Sequence, residues 1–511
     1  MSHPDTTVDV LVIGTGASGM AAAVTAAFHG LSVLVVEKNA QFGGTTARSG
    51  GWLWIPGTRL ATEQGIQEPA GAAKTYLKHE ATTHFNEKRV DAFLANGPRA
   101  IDFFSRNTCV QFDMPAVFPD YHAETPGGQP GGRSMVTRPF NGRELGERIK
   151  LLAPPLPELT VFGMMLGSGP EIRHFMRVFK SPFSFVYVAK RLARHLLDVI
   201  VHGRGMTLTN GNALAGRLAK AAMDLNIPVW LSSPVKKLVT DHTGVTGAEV
   251  EHEGKTALVK ARLGVVLACG GFPYDIERRK QLFPHAPTGQ EHFSPSPKTN
   301  TGDGLRLAES VGGHVDPTIP HAAAWVPASV TTRPDGSKGV MPHFIDRAKP
   351  GVIAVTSKGQ RFTNEGNSYH DFVQAMVKAC KGEPDISAWL LCDHKALRSY
   401  GLGCVAPAPL PIGRHLRSGY LKRGSTVADL AKQIGVAPDT LEATIAEFNH
   451  SAKNGEDPAF GKGSKAYNRY QGDPSVTPNP CVAPLQVAPY YAIKLLIGDI
   501  GTIAGLTTDE N

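Results

Sequence analysis

The sequence lacks several features that define large classes of proteins. Its six cysteines include no C-x-x-C pair, so we expect neither a disulfide framework nor a zinc knuckle. No uncharged apolar run reaches the roughly 18 residues that a membrane-spanning helix needs, and the first residues show no secretory signal pattern. These absences predict a protein of the reducing cytoplasm.

Long charged runs and hydrolytic motifs are also missing. Lys and Arg together number 53 and Asp and Glu 45, which gives a net charge of +8, but no five like charges occur in succession. Because no nucleic-acid-binding motif accompanies this modest excess, we expect no nucleic-acid partner. G-x-S-x-G, H-E-x-x-H and P-loop motifs are absent, and the 19 histidines do not cluster. We therefore expect neither hydrolase chemistry nor a metal site.

The features that are present begin with a dinucleotide-binding pattern near the amino terminus. The sequence predicts a buried strand over 8–13, a G-x-G-x-x-G turn over 14–19, a helix up to residue 30 and a second strand over 32–36. Gly14 permits the tight turn, Gly16 lets backbone amides approach a pyrophosphate, and Gly19 allows close helix packing. Glu37, at the end of the second strand, can accept hydrogen bonds from a ribose. The predicted cofactor contacts of this unit are Gly14, Gly16, Ala17, Ser18, Gly19, Glu37 and Lys38.

A second glycine-rich segment distinguishes FAD from a nicotinamide cofactor. Residues 42–57 read FGGTTARSGGWLWIPG and interleave glycines with hydroxyl-bearing side chains. Such a run offers backbone amides and hydroxyls along an extended cofactor, at positions where larger side chains would collide with it. The predicted contacts in this segment are Gly43, Gly44, Thr45, Thr46, Ser49, Gly50 and Gly51.

Three later segments complete the pattern. Residues 226–238 predict a strand in which the backbone of Val235 meets an adenine edge, and a hairpin is expected over 245–260. Another buried strand is predicted over 262–272. It is expected to break at Cys269, Gly270 and Gly271, within the ACGGF segment at its end. A T-G-D-G turn follows at 301–304. The predicted contacts of these segments are Val235, Cys269, Gly270, Gly271 and Asp303.

Together these motifs resemble the fumarate reductase and succinate dehydrogenase flavoprotein superfamily, and within it the 3-ketosteroid 1-dehydrogenase branch, over essentially the whole chain. The resemblance implies an α/β fold, in which an α+β catalytic (cap) domain is inserted into a Rossmann-like FAD-binding domain. Proline-rich joints place the FAD-binding domain at 1–292, the catalytic domain at 293–477 and a return segment at 478–511. The implied partners are FAD, a small lipophilic ketone such as a 3-ketosteroid, and an external electron acceptor.

The resemblance also implies a catalytic role for two tyrosines. Tyr121 lies in the segment FPDYHAETPGG, and Tyr369 follows an R-F-x-N-E motif in GQRFTNEGNSYHDF. Tyr369 would take the proton from carbon 2 of the A ring, Tyr121 would form a hydrogen bond with it, and hydride would pass from carbon 1 to the flavin. Since an ordinary phenol is a weak base at neutral pH, a hydrogen-bonded pair is a plausible device.

The carboxyl end departs from the family pattern. Residues 489–511 match the family's re-entry strand, whereas the family continues into a segment that polarises the substrate carbonyl. We therefore expect a truncated return segment. This leaves two alternatives to the steroid dehydrogenase: a fumarate-like reductase of an unsaturated carboxylate, and a flavin-binding protein without turnover.

The segment over 171–204 is basic and amphipathic, and Pro182 is predicted to divide it into two helical pieces. Its composition is typical of a helix that lies on a membrane or receives a lipophilic substrate. It is also typical of surface helices that pack on the domain with a solvated basic face, which is the favoured interpretation. Membrane contact stays the alternative.

Overall fold

A computed structural model describes residues 6–167, 171, 174, 175, 178 and 181–510 of the chain. Two six-stranded sheets organise this part of the molecule. The strands are β1 (Thr6–Ile13), β2 (Val33–Val36), β3 (Trp52–Trp54), β4 (Phe112–Asp113), β5 (Ser134–Thr137), β6 (Phe140–Asn141), β7 (Thr160–Val161), β8 (Met164–Met165), β9 (Thr207–Leu208), β10 (Val229–Trp230), β11 (Val235–Asp241), β12 (Gly244–His252), β13 (Lys255–Leu267), β14 (Ala323–Thr332), β15 (Lys338–Pro342), β16 (Val352–Thr356), β17 (Ala388–Cys392), β18 (Lys422–Gly424) and β19 (Tyr490–Thr502).

Helices cover both sheets. The α-helices are α1 (Ala17–Phe28), α2 (Arg59–Glu63), α3 (Ala72–Ala81), α4 (Glu87–Asn107), α5 (Pro182–His202), α6 (Asn210–Asp224), α7 (Ile276–Leu282), α8 (Asp303–Glu309), α9 (Tyr369–Ala379), α10 (His394–Tyr400), α11 (Gly413–Arg417), α12 (Val427–Ile434), α13 (Pro438–Ala452) and α14 (Ala466–Gln471). Short 3-10 helices are formed by Thr46–Arg48, Thr82–His84, Gly142–Leu151, Pro157–Leu159 and Asp346–Ala348.

The first sheet has the strand order β10-β2-β1-β13-β12-β11. Its strands β10, β2, β1 and β13 are parallel, whereas β12 and β11 add an antiparallel meander. The strand β2 is buried along its whole length, as expected for an apolar strand of a parallel sheet that is covered on both faces. The predicted order of strand, glycine turn, helix and strand at the amino terminus is confirmed.

Two sequence predictions in this sheet need correction. The strand predicted over 226–238 is two strands, β10 and β11, because Ser232 adopts a φ of +50° and Pro234 follows it. The strand predicted over 262–272 is the second half of β13, which pairs with β12 first and with β1 afterwards. The predicted hairpin over 245–260 is formed by β12 and β13.

The second sheet is antiparallel, with the order β15-β14-β19-β17-β16, and β18 pairs beside β19. The strand β19, which the sequence predicts as part of the return segment, lies at the centre of this sheet because its apolar side chains Ile493, Leu495 and Ile497 enter the core. Its last residue reaches the segment that follows β13, where Thr502 Oγ1 accepts a hydrogen bond of 3.2 Å from the backbone amide of Phe272. The domain boundaries themselves stay a prediction.

The helix α5 begins at Pro182, with Ser181 as its N-cap, in agreement with a break at this proline. In the preceding piece, Arg173, Arg177 and Lys180 lie outside the described residues. Along α5, Phe183 and Ile200 are 73% and 71% exposed, so an apolar face lies open to solvent. Among the helices that the structure describes, none combines the length and the apolar character needed to cross a bilayer.

Candidate cofactor and active site

The glycine turn after β1 is shaped by two glycines that admit no side chain. Gly14 has a φ of +114°, and a Cβ on it would lie 2.2 Å from the carbonyl oxygen of Ala268. A Cβ on Gly19 would lie 2.1 Å from the carbonyl oxygen of Gly14. Gly16 differs, because a Cβ there would meet only the Thr46 hydroxyl, at 3.6 Å. The turn is thus closed against the strands and open beside the start of α1, as a pyrophosphate site requires.

Glu37 organises this turn from the end of β2. Its carboxylate accepts hydrogen bonds from the backbone amide and hydroxyl of Thr15, at 3.1 and 2.7 Å, through one oxygen. The other oxygen accepts bonds of 3.0 Å from the backbone amide and from the side chain of Asn39. Glu37 therefore couples the ends of two parallel strands in addition to its predicted ribose contact. Thr15 lies inside the predicted glycine motif, but the motif gave no reason to assign it this role.

The second glycine-rich segment is attached to three neighbouring elements. The Thr46 hydroxyl accepts a bond of 2.9 Å from the amide of Ala17, the first residue of α1. The Thr45 hydroxyl accepts a bond of 2.8 Å from Asn300, and the Ser49 carbonyl accepts one of 3.0 Å from the amide at the start of α6. These bonds hold the segment over the open side of the glycine turn. Asn300 was not among the predicted residues.

Close approaches explain the other glycines of this region. A Cβ on Gly51 would lie 2.4 Å from the backbone of Asn210, and one on Gly43 would lie 3.0 Å from the Ala47 side chain. At Gly44, in contrast, no atom lies within 4 Å of the added Cβ. The segment thus packs closely on one side and leaves free space on the other. That space suits an extended cofactor.

Lys38 and Asp303, two predicted contacts from distant parts of the chain, form an ion pair. The Lys38 ammonium also donates a bond of 3.2 Å to the Thr301 hydroxyl. Gly270, after β13, has a φ of +77° and lies against the Asn300 side chain. The structure thereby brings the ends of β2 and β13 and the start of α8 to one edge of the sheet.

Val235, the first residue of β11, lies in the same region. The meander folds over the face of the parallel strands, where Leu238 and Val250 pack with Leu11. In the turn before β11, the amide of Ser233 donates a bond of 2.7 Å to the carbonyl of Glu37. Val235 therefore starts its strand close to the predicted ribose contact. Its hydrogen bonding to adenine stays a prediction.

The two predicted tyrosines form a pair. Their hydroxyl oxygens lie 2.6 Å apart, and their rings meet edge to face with a centroid distance of 5.3 Å. Tyr369 is the first residue of α9, which Ser368 caps, and is buried, whereas Tyr121 is 37% exposed. The Tyr467 ring packs against Tyr121 at 4.9 Å. Tyr467 carries no motif in the sequence that could have identified it.

Burial of the pair disfavours a free phenolate. Burial raises the pKa of Tyr369 well above its usual value. Desolvation also raises the pKa of Tyr121. The charge of the buried Arg347 acts in the opposite direction and lowers the pKa of Tyr369. The Arg347 guanidinium is held by backbone carbonyls of His343, Phe344, Glu365 and Asn367.

Aromatic contacts bring the glycine-rich segment close to the segment that carries Tyr121. Trp52, which directly follows Gly51, packs on Phe118 with a centroid distance of 4.3 Å. Phe118 lies three positions before Tyr121 and also packs on Tyr470, at 4.9 Å. The predicted flavin segment and the phenols therefore belong to one region of the molecule. In the part of the chain that the structure describes, no group of three or more His, Cys, Asp or Glu side chains is arranged to hold a metal ion.

Residues 9–511 match a family model described as an FAD binding domain. The chain belongs to this family. FAD is therefore its cofactor, in agreement with the open space at Gly16 and Gly44. The family assignment and the sheet order confirm the predicted α/β flavoprotein fold.

Two curated relatives each align with 98% of the chain described here. A 4-oxocyclohex-2-ene-1-carboxylate 5-dehydrogenase of Sinomonas cyclohexanicum is 44% identical over 504 residues, which cover 85% of that protein. A 3-oxosteroid 1-dehydrogenase of Mycobacterium tuberculosis is 34% identical over 516 residues, which cover 89% of it. These relatives confirm the resemblance to the steroid dehydrogenase branch, and the chain is an FAD-dependent oxidoreductase.

A solved structure supports the same assignment. The 3-ketosteroid Δ1-dehydrogenase of Sterolibacterium denitrificans, in complex with 1,4-androstadiene-3,17-dione, is 35% identical and superposes with a TM-score of 0.89. The match covers 99% of this chain and 90% of that one. The family therefore contains both a ketosteroid dehydrogenase and a dehydrogenase named for a smaller ring ketone.

Proposed function

We propose that this FAD-dependent oxidoreductase introduces a carbon–carbon double bond next to the carbonyl group of a six-membered ring ketone. The observation that carries the proposal is the 2.6 Å contact between the hydroxyls of Tyr121 and Tyr369. A desaturation of this kind removes a proton from the carbon beside the carbonyl and a hydride from the next carbon. The phenols supply a group for the proton, and FAD, when bound, supplies the hydride acceptor.

Within the pair we assign the role of base to Tyr369. It accepts the proton in its deprotonated form, while the Tyr121 hydroxyl donates a hydrogen bond to the phenolate. The nearby Arg347 charge favours this anionic form, since it lowers the pKa of Tyr369. Because Tyr369 is buried, the phenolate is shielded from water, which strengthens both interactions.

We assign the cofactor-binding roles to the residues around the open edge of the first sheet. The turn at Gly14, Gly16 and Gly19 and the helix start at Ala17 and Ser18 face the phosphates, while Glu37 holds the ribose. The glycine-rich segment from Gly43 to Gly51 lies along the flavin end, beside Trp52. An external electron acceptor must then reoxidise the flavin, because each turnover leaves two electrons on it.

For the substrate we favour a compact ring ketone that bears a carboxylate over a steroid. The relative named for such a compound is 44% identical to the chain, and the steroid dehydrogenase is 34% identical over nearly the same residues. The 3-ketosteroid expected from the sequence stays the second candidate, and both compounds present the same chemistry to the tyrosines.

The test is an assay of the purified, FAD-loaded protein with a dye as electron acceptor. The substrates are 4-oxocyclohex-2-ene-1-carboxylate and 4-androstene-3,17-dione, and fumarate with a reduced dye represents the alternative reductase. We expect dye reduction with the ring ketones, faster with the carboxylate. Turnover of fumarate alone would overturn the proposal. An FAD-loaded protein inactive on all three compounds would support the flavin-binding alternative.

A further inference from the structure

His122 connects two helices through its imidazole ring. Its Nδ1 atom lies 2.7 Å from a carboxylate oxygen of Glu80 on α3, and its Nε2 atom lies 2.7 Å from one of Asp371 on α9. A carboxylate accepts hydrogen bonds, so both ring nitrogens must donate, which requires the doubly protonated imidazolium. These two contacts raise the pKa of His122 to about 10. The histidine therefore acts as a cation between two anions.

The two ends of this bridge belong to the segments that carry the tyrosine pair. His122 directly follows Tyr121, and Asp371 lies two positions after Tyr369 on the first turn of α9. The amide of Asp371 also donates a bond of 3.1 Å to the N-cap hydroxyl of Ser368. One charged contact thus fastens the Tyr121 loop to the end of the helix from which Tyr369 projects.

Tyr121 is held from its other side by Asp120. This buried carboxylate accepts bonds of 2.7 Å from the indole of Trp54 and of 3.0 Å from the amide of Gln129. It also pairs with the buried guanidinium of Arg133, which Glu68 contacts in turn. Both sequence neighbours of Tyr121 are therefore anchored by charged partners. Asp120 fixes the loop to Trp54 and Arg133, whereas His122 fastens it to α9.

We propose that His122 is a positioning residue, which holds the Tyr121 hydroxyl against Tyr369 by bridging Glu80 and Asp371. The proposal deepens the proposed function and rests on it, since it takes the tyrosine pair as the proton-accepting group. A short hydroxyl contact is sensitive to small displacements, and positioning errors of about 1 Å lower rates by about 100-fold. In this role His122 acts only through Tyr121.

The first test is a double-mutant cycle that combines His122→Ala with Tyr121→Phe. If His122 acts through the Tyr121 hydroxyl, His122→Ala lowers kcat by about 10-fold or more in the wild-type background. In the Tyr121→Phe background the same change alters kcat by less than about twofold, because the positioned group is already gone. KM and FAD content stay unchanged in both backgrounds. Independent effects that multiply would overturn the proposal.

A second measurement does not depend on turnover. Hydrogen exchange of the backbone amides over 119–131 reports whether the bridge holds the loop. We expect faster exchange in His122→Ala and also in Asp371→Asn, which removes the negative charge from the α9 end of the bridge. The matched control is His79→Ala, because His79 contacts the same Glu80 at 3.5 Å but does not reach α9. Unchanged exchange in His122→Ala would overturn the proposal.

The two measurements separate failure of this proposal from failure of the proposed function. A wild-type protein that turns over neither ring ketone contradicts the proposed function, whatever the exchange data show. A wild-type protein that is active, with multiplicative kcat effects or with an unaltered loop, contradicts only the role of His122.

Discussion

Arg347 lowers the pKa of Tyr369, although burial raises it. The guanidinium is fully buried and donates hydrogen bonds to backbone carbonyls, of which that of Glu365 is 2.7 Å away. This opposition of burial and charge sets how much phenolate the enzyme contains at a given pH.

The first prediction concerns that pH dependence. The pKa of Tyr369 lies well above its usual value, so at neutral pH only a small fraction of the enzyme carries the phenolate base. Since the active form is the deprotonated one, kcat/KM should rise by about tenfold per pH unit from neutral to alkaline pH, until the pKa is reached. The measurement is kcat/KM for the ring ketone between about pH 7 and about pH 10. A rate that falls with rising pH in this range would contradict Tyr369 as the base.

The second prediction concerns the tyrosine hydroxyls. Tyr369→Phe keeps the ring and its packing but removes the proton acceptor, so kcat should fall by about 100-fold or more. Tyr121→Phe removes only the hydrogen bond to the phenolate and should cost less. FAD content should not change in either variant. Tyr490→Phe, at the start of β19, serves as the control and should keep full activity. Equal activity of Tyr369→Phe and the control would refute the assignment.

The third prediction concerns Glu37 and FAD. Glu37→Gln weakens the contact with the ribose and replaces an acceptor that holds Thr15 and Asn39. Because charge-assisted bonds of this kind contribute about 1.5–3 kcal/mol, the Kd for FAD should rise by at least about tenfold. Equilibrium dialysis with flavin fluorescence measures it. The control is Glu277→Gln, whose side chain is exposed on α7. Equal affinity in both variants would count against a ribose role for Glu37.

The fourth prediction is that FAD is bound without a covalent link. The segment from Gly43 to Gly51 contains neither histidine nor cysteine to which a flavin could be attached. Acid precipitation should therefore release all the flavin into the supernatant, where its absorbance is measured. Flavin that stays with the precipitated polypeptide would show a covalent bond.

The fifth prediction concerns the exposed apolar face of α5. Phe183, Leu197 and Ile200 are 73%, 63% and 71% exposed, and Lys190 and Arg194 lie on the same helix. An apolar face with adjacent cations is typical of a helix that lies on a lipid surface. We expect co-sedimentation with anionic phospholipid vesicles, and a loss of at least about tenfold in binding for the double variant Leu197→Glu, Ile200→Glu. Wild-type protein that stays in the supernatant would support the other interpretation, a surface helix with a solvated basic face.

The local parts of the fold could be predicted because their physics is local. The turn at Gly14 and Gly19 follows from spacing, since only a residue without a side chain fits where a Cβ would lie 2.2 or 2.1 Å from a carbonyl oxygen. The boundaries of strands were harder to predict. Nothing in the apolar run before Val235 shows that Ser232 adopts a left-handed conformation and divides one strand into two.

The sequence by itself determined the dinucleotide unit. It also predicted the glycine-rich flavin segment and, through the family resemblance, the two tyrosines, because each is marked by residues close together in the chain. Only the tertiary structure decided what these residues contact. Tyr121 and Tyr369 are separated by 248 positions, and Lys38 and Asp303 by 265. The bridge from His122 to Asp371 likewise spans 249 positions. Such pairs form only when two sheets and their helices pack together, so no local pattern of residue types can encode them.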